Sequence, residues 1–433
     1  MMASIDKIRR SSLFKGFVAT MLGSGMSKFV LVITTFICSN LLTKLEFGEL
    51  SFVRNTLNMI LCICALNFSS LCTKFITEAK EDNQGLYRLT WLFAFSFFIC
   101  VVLGLFLLIL PDSVMQKMLE SGYLVKYFRI IGVLLPLFII SPIVEGIFRG
   151  QKRFKLIGYL QVSFALFFLM SLYFGIIVGG VDGAIIGVLL YYTLYSLICL
   201  FIVFRISSLR SLFARLRGFK SEIMVVPRMI LPVFIMSFVE APVFWIVQVI
   251  VAQYGSMESI GSITAILQIR NFGMLIPTYF ANTYIAFAGE LNAQKRYDAY
   301  YSQFDKLIKS YLIVGLLLAI LFSLLSIPFL SLYGNAYVCD WPAMIIANVS
   351  LPLFMLVGLI RISLVLQEHQ SEMLYISIIW NLFWILGLFI LLEKNTVPVN
   401  AFFISQFGGV LVCLIIMYYL YNRDKRKMDN SII

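Results

Sequence analysis

The chain has 433 residues, of which 61% are hydrophobic and 13% charged, and its formal net charge is +12. Its mean hydropathy of +0.94 far exceeds that of a water-soluble globular domain, so an ordinary soluble enzyme or binding module is excluded. A membrane-crossing helix needs about 20 apolar residues, and such stretches recur along nearly the whole chain. The sequence therefore predicts a multi-pass integral membrane protein.

The apolar segments predict an all-α membrane protein with about twelve transmembrane helices. Barrel strands would alternate apolar and polar residues, whereas "FSFFICVVLGLFLLIL" (95–110) is apolar on every face. The first apolar run is long and lacks a small-residue cleavage site, so we expect it to be retained as a helix. In chain order, the helices are predicted at 17–40, 52–72, 89–110, 124–148, 155–178, 184–204, 229–252, 260–286, 307–330, 343–366, 371–392 and 399–421.

Charge distribution predicts the orientation of these helices. Most of the 34 Lys and Arg residues fall in segments on the same side of the membrane as the N-terminus. Positively charged loops stay in the cytoplasm, so both termini are predicted to be cytoplasmic. The net positive charge is then explained by the membrane topology and by contact with anionic lipids, and no nucleic-acid partner is expected. The sequence has no CxxC pair and a single histidine, so neither a metal nor a cofactor is predicted.

A short internal repeat divides the chain into two halves. "LPLFIISPIVEGIFRGQ" (135–151) returns 216 positions later as "LPLFMLVGLIRISLVLQ" (351–367), where Arg361 stands in place of Glu145. An even number of helices per half brings both halves into the membrane in the same direction, which predicts a parallel repeat of two six-helix lobes. The predicted parts are an N-terminal lobe (1–204), a basic cytoplasmic linker (205–228), a C-terminal lobe (229–422) and a basic cytoplasmic tail (423–433).

The linker 205–228 contains no run long enough to span a bilayer. Two interpretations remain open for it. It is either a solvated positive-inside segment or an amphipathic helix that lies on the inner leaflet and lets two rigid lobes rock against each other.

Ionisable side chains within the predicted helices are the main functional signal. A charge at the bilayer centre costs about 3 kcal/mol, so it normally faces a bundle interior or an aqueous cavity. Glu145 and Arg149 are spaced to neutralise each other, but Lys28 and Arg270 have no acid within a turn of their own helices. The surplus of positive charge predicts an anionic substrate. The charges concerned are Lys28, Arg54, Arg270 and Arg361, with Glu145 and Glu240 as the acids at comparable depth.

Two further absences narrow the function. No GxxxxGK[ST] loop is present, so nucleotide hydrolysis through a P-loop is not expected. No soluble domain is predicted that would hold another catalytic apparatus. The remaining classes are a secondary transporter and a lipid-modifying membrane enzyme that works from its loops.

Two motifs and the arrangement of six plus six helices carry a family resemblance over essentially the full length. They are "NLLTKLEFGELSFVRNTLNMI" (40–60), with the pair Phe47-Gly48, and "EGIFRGQKRFKLIGYLQ" (145–161). The chain resembles the polysaccharide-transporter branch of the multidrug/oligosaccharidyl-lipid/polysaccharide exporter superfamily, and most closely O-antigen flippases. This resemblance implies two lobes around a V-shaped central cavity. It also implies alternating access that moves an undecaprenyl-pyrophosphate-linked oligosaccharide to the outer leaflet of the bacterial cytoplasmic membrane.

The resemblance also implies roles for particular residues. The pyrophosphate or headgroup site would include Arg270, Lys28, Arg54 and Arg361, and Glu240 and Glu145 would supply counter-charges or coupling. Arg149 and Arg153 would form a cytoplasmic gate or interface. Expected partners are the lipid-linked oligosaccharide, the bilayer and other polysaccharide-assembly membrane proteins, such as a polymerase or chain-length regulator. The first helix lacks the Asp that some drug-exporting relatives use for cation coupling.

Two alternatives stay open beside this reading. A multidrug or cation antiporter of the same fold would need unpaired acids, whereas the candidate residues are mainly basic. An O-antigen polymerase or ligase would need an extended outward loop for its reaction, whereas outward loops such as "VGGVDG" (178–183) are short. We therefore expect a transporter and not an enzyme.

Overall fold

The computed structural model describes residues 12–64, 69–78, 84–119, 122–205, 225–275, 277–278, 296–367 and 369–432. Every regular element within these ranges is an α-helix or a short 3-10 helix. Eight helical stretches of this described part are long and apolar enough to cross a membrane. The predicted all-α, multi-pass membrane fold is therefore confirmed.

The chain forms two compact units. The N-terminal unit comprises Met1–Leu42 and Glu49–Trp245, and the C-terminal unit comprises Thr43–Gly48 and Ile246–Ile433. The helices of the N-terminal unit are α1 (Ser12–Leu41), α2 (Lys44–Cys64) after its first turn, α3 (Ser69–Glu78), α4 (Gln84–Ile109), α5 (Asp112–Leu119), α6 (Val125–Phe138), α7 (Ile140–Gly150), α8 (Phe154–Arg205) and α9 (Val225–Tyr254) up to Trp245.

Helix α8 contains the predicted fifth and sixth helices as two arms joined at Gly179 and Gly180. Gly180 has φ +56° and ψ −133°, a left-handed conformation that side chains disfavour. The arms then pack closely, since a Cβ built on Gly183 would lie 1.9 Å from the carbonyl oxygen of Gly175. Glycine therefore permits both the tight connection and the close packing of the two arms.

Two of the predicted helices are interrupted, and a proline follows each interruption. The predicted helix 124–148 consists of α6 and α7, which meet at Ile139, three residues before Pro142. The predicted helix 343–366 likewise divides at Ser350, two residues before Pro352. Because proline lacks an N–H and its ring clashes with the preceding turn, it interrupts the helical hydrogen bonds in both places.

The C-terminal unit includes the end of α9 and the remaining helices. Helix α10 begins after the N-cap Ser256, whose side chain accepts a hydrogen bond from the backbone N–H of Glu258 at 3.2 Å. The remaining elements are α10 (Met257–Gly273), α11 (Tyr297–Leu324), α12 (Ser326–Ser331), a 3-10 helix (Asn335–Asp340), α13 (Trp341–Val349), α14 (Leu351–Leu366), α15 (Gln370–Glu393) and α16 (Pro398–Ile432).

The division between the units differs from the linker predicted at 205–228. It falls at Trp245 and Ile246, inside α9, and α9 already begins at Val225. Residues 206–224 of the predicted linker lie outside the described residues. The first turn of α2 groups with the C-terminal unit because Phe47, 1% exposed, packs against aromatic side chains of that unit.

Candidate functional site

Glu145 is the centre of a hydrogen-bond network in the N-terminal unit. Its Oε1 accepts from the hydroxyl of Tyr195, and its Oε2 accepts from Gln161 Nε2 at 3.2 Å and Arg149 Nη2 at 3.3 Å. Gln161 in turn accepts from the hydroxyl of Ser24 at 2.8 Å. The network therefore links α1, α7 and both arms of α8, and it places a carboxylate between these helices with three donors around it.

A pocket of about 260 Å³ opens beside this network. Tyr191 and Tyr192 come from the second arm of α8, and Asn58 comes from α2, where the Tyr192 hydroxyl donates to Asn58 Oδ1 at 2.9 Å. Arg149 and Glu145 expose 42% and 17% of their side chains. The pocket is thus lined by aromatic rings, amide and hydroxyl groups and one pair of opposite charges.

The pocket leaves hydrogen-bond donors available for a ligand. Within the described part of the chain, the amide nitrogen of Asn58 and the hydroxyl of Tyr191 have no hydrogen-bond partner. The carboxylate of Glu145, in contrast, already accepts three hydrogen bonds. The site therefore suits a ligand that accepts hydrogen bonds better than one that requires a free carboxylate.

Two predicted cations lie on helices that border this network. Arg54 is half-buried one turn before Asn58 on α2. Lys28 is exposed on α1, one turn after Ser24. Arg153, the predicted gate residue, is also exposed and lies in the turn between α7 and α8.

Arg270 lies in a different environment, in the core of the C-terminal unit. It belongs to the last turn of α10 and is 7% exposed. Its Nη1 donates to Gln406 Oε1 at 2.6 Å and to Ser350 Oγ at 3.5 Å, and its guanidinium carbon lies 4.4 Å from the ring centroid of Phe354. No carboxylate among the residues described here lies within 4 Å of it, so its contacts are neutral.

Helix α10 is interrupted by a turn at Met274, and helical residues resume at 275 and at 277–278. The sequence places Arg270 well inside a helix that extends to residue 286, whereas α10 ends at Gly273. Residues 279–295 lie outside the described part of the chain. The predicted extent of this helix to residue 286, and the depth of Arg270 within it, therefore stay predictions.

The remaining predicted residues divide between the two units. Arg361 is half-buried on α14 of the C-terminal unit, and Glu240 belongs to α9 of the N-terminal unit, with its side chain outside the described residues. The structure brings Glu145 and Arg149 together as the spacing predicts. The convergence of all the predicted charges on one site stays a prediction. In the described ranges, no group of three or more His, Cys, Asp and Glu side chains is placed to hold a metal ion.

Sequence reasoning missed most of the pocket. Tyr191, Tyr192 and Tyr195 form the stretch "YYTLY" in an otherwise apolar helix, and Gln161 stands on the opposite arm. A concentration of tyrosines at helical spacing was the available signal. Asn58 carried a weaker signal, since it lies four residues after Arg54 and so on the same helix face.

Comparisons with known proteins agree with this architecture. A family model described as "Polysaccharide biosynthesis protein" matches residues 13–286. No curated protein sequence matches the chain significantly. Among solved structures, the chain is similar to an inward-facing multidrug resistance MATE family transporter of the MOP superfamily, with a TM-score of 0.79, 14% identity and coverage of 94% of this chain and 96% of the other.

Two further structures show the same fold. An outward-facing multidrug resistance MATE family transporter has a TM-score of 0.66, 15% identity and 96% coverage of both chains. A MOP superfamily transporter from Pyrococcus furiosus, whose description reports a binding pocket of reversed polarity, has a TM-score of 0.65, 16% identity and 95% coverage of both chains. The chain therefore belongs to the polysaccharide biosynthesis protein family, and it shares the fold of multidrug and MOP superfamily transporters.

Proposed function

We propose that this transporter is a flippase that moves an undecaprenyl-pyrophosphate-linked oligosaccharide, an O-antigen or similar repeat unit, from the inner to the outer leaflet of the bacterial cytoplasmic membrane. It works by alternating access and is not an enzyme. The observation that carries the proposal is the guanidinium of Arg270, which is buried with only neutral contacts among the described residues. The family to which the chain belongs supports the polysaccharide part of the substrate.

A buried positive charge that has only neutral contacts lowers the stability of the folded protein. Burying an ion carries a penalty of several kcal/mol, and an apolar residue of similar volume is often as stable or more stable in the same place. Arg stays protonated and binds phosphate in bidentate geometry. The buried cation in the C-terminal unit therefore fits a role in binding an anionic substrate better than a role in packing.

The physics of the membrane favours the same substrate. A pyrophosphate diester carries about two negative charges, and moving each charge across the membrane changes its free energy by about 2.3 kcal/mol per 100 mV of membrane potential. An inside-negative potential therefore drives this headgroup outward. Lys28, Arg54 and Arg361 complete the proposed headgroup site, Glu240 supplies the counter-charge, and Arg149 and Arg153 guard the cytoplasmic entrance. The V-shaped cavity, the cytoplasmic termini and the polymerase or chain-length regulator as partners belong to this proposal.

The test is a deletion strain complemented with variants of Arg270. Loss of the protein should cause the lipid-linked glycan to accumulate on the cytoplasmic face. Arg270→Met, which removes the charge and keeps much of the apolar volume, should fail to restore export while the protein still inserts into the membrane, although the loss of the hydrogen bond to Gln406 costs about 1–3 kcal/mol of stability. Lys394→Met, an exposed change in the same unit, is the matched control and should restore export fully.

Several outcomes would contradict the proposal. Full export by Arg270→Met would remove Arg270 from the headgroup site. A deletion strain that accumulates translocated but unpolymerised units would indicate a polymerase. Altered drug susceptibility without glycan accumulation would indicate a multidrug transporter, the class to which two of the structural relatives belong.

A further inference from the structure

The pocket beside Glu145 has the size of a single small ring. Pockets for drug-sized ligands usually measure about 300–1,000 Å³, whereas this one measures about 260 Å³. It lies where α2, α7 and the second arm of α8 meet within the N-terminal unit. In the proposed topology this is the cytoplasmic end of the unit, where a lipid-linked substrate is loaded.

The walls of the pocket combine flat apolar faces with polar edges. Tyr191 and Tyr192 are in edge-on contact, with ring centroids 5.0 Å apart, and each has a hydroxyl at its rim. Tyrosine supplies a rigid amphipathic surface at a low cost in conformational entropy. A sugar ring has the complementary pattern, because its C–H groups form an apolar face and its hydroxyls lie around the edge.

The charges in the pocket restrict the ligand further. Glu145 uses three of its roughly four acceptor positions on Tyr195, Gln161 and Arg149. It therefore has little capacity left to bind an ammonium group. The half-exposed guanidinium of Arg149 and the amide of Asn58 present N–H donors instead. This combination disfavours a cationic drug or a free amino sugar.

From this geometry we propose that the pocket beside Glu145 is a saccharide subsite that holds one neutral or acidic sugar ring of the substrate. The inference rests on the proposed flippase function and adds to it the part of the transporter that reads the glycan. Asn58 and Tyr191 donate to ring hydroxyls, the tyrosine faces stack against the ring, and Arg149 pairs with a hydroxyl or carboxylate. The pyrophosphate binds elsewhere.

The experiment measures the binding of two lipids to the full-length protein in nanodiscs. One is the lipid-linked oligosaccharide extracted from the deletion strain, and the other is undecaprenyl pyrophosphate without sugars. Asn58→Leu and Tyr191→Phe should each weaken binding of the sugar-bearing lipid about tenfold, since each loses one hydrogen bond. Binding of the sugar-free lipid should not change.

Matched variants control for folding and for general effects on binding. Tyr159→Phe lies on the same helix at a position that is 73% exposed, and Asn40→Leu alters an exposed amide on α1. Both should bind each lipid as the parent protein does. Tyr191→Phe removes one oxygen atom only, so the test stands even if Asn58→Leu does not fold.

The outcomes separate this inference from the proposed function. Unchanged binding of the sugar-bearing lipid by the pocket variants would overturn the saccharide subsite and leave the flippase proposal intact. Equal weakening for both lipids would also overturn it, because the pocket would then bind phosphate. Failure of the parent protein to bind either lipid would overturn the flippase proposal itself.

Discussion

Lys44 and Asp340 form an ion pair of 2.6 Å although 296 positions separate them in the chain. The pair is largely buried, with 14% and 12% of the two side chains exposed. Asp340 Oδ2 also accepts from the hydroxyl of Ser262 at 2.7 Å, and Lys44 Nζ donates to the carbonyl of Ala336 at 3.3 Å. The first turn of α2 is thus attached to the 3-10 helix and to α10 within the C-terminal unit.

Removing one member of this pair should destabilise the protein strongly. Asp340→Asn leaves the Lys44 ammonium buried without its carboxylate, which costs about 3–5 kcal/mol. We expect a clear fall in the midpoint of thermal unfolding in detergent. Asp182→Asn is the control, because it breaks a pair with Lys126 whose side chains are 44% and 56% exposed, and such pairs contribute about 1 kcal/mol at most. Equal shifts for the two variants would show that the Lys44 pair is not structural.

Gly48 should not tolerate even a methyl group. A Cβ at this position would lie 1.8 Å from the carbonyl oxygen of Met257, so the first turn of α2 could not pack against α10. Gly48→Ala should therefore reduce the yield of folded protein in size-exclusion chromatography. Gly358→Ala has nothing within 4 Å of its new Cβ and should gain up to about 1 kcal/mol from helix propensity. Normal folding of Gly48→Ala would refute this packing.

Glu145→Gln should weaken the association of α7 with α8. The new amide can still accept hydrogen bonds from Gln161 and Arg149, but it loses the negative charge that pairs with Arg149. Hydrogen bonds to a charged group contribute about 1.5–3 kcal/mol and those between neutral groups about 0.5–1.5 kcal/mol, so thermal unfolding should begin at a lower temperature. Glu393→Gln, at the exposed end of α15, is the control and should leave the transition unchanged. An unshifted transition for Glu145→Gln would indicate that the network adds no stability.

Cys339 provides a test of the proposed topology. It is exposed in the 3-10 helix, whereas the other seven cysteines are buried or half-buried. Since the proposed orientation places this segment on the extracytoplasmic side of the membrane, a membrane-impermeant maleimide should label Cys339 in intact cells. Cys339→Ala should abolish the labelling. Labelling that appears only after the cells are permeabilised would reverse the orientation.

The motif Phe47-Gly48 shows what a sequence pattern leaves unexplained. The motif was recognisable as a family feature, but the sequence does not show its structural role. Phe47 packs edge-on against Tyr333 and Tyr337, with ring centroids 6.4 and 6.1 Å away. Those tyrosines lie far along the chain, so no local pattern connects them with α2. The predicted helices 124–148 and 343–366 show a similar limit, because the sequence remains hydrophobic across the breaks at Ile139 and Ser350.

The sequence by itself determined the membrane class, the helical fold, the approximate positions of the helices and the charges within them. These follow from hydropathy and from the length of helix that crosses a bilayer, which are local properties of the chain. Only the tertiary structure decided that Glu145 meets Tyr195 beside a pocket and that Arg270 meets Gln406 in a buried core. The reason is that 50 and 136 positions separate these partners. Their contact depends on which helix faces pack together.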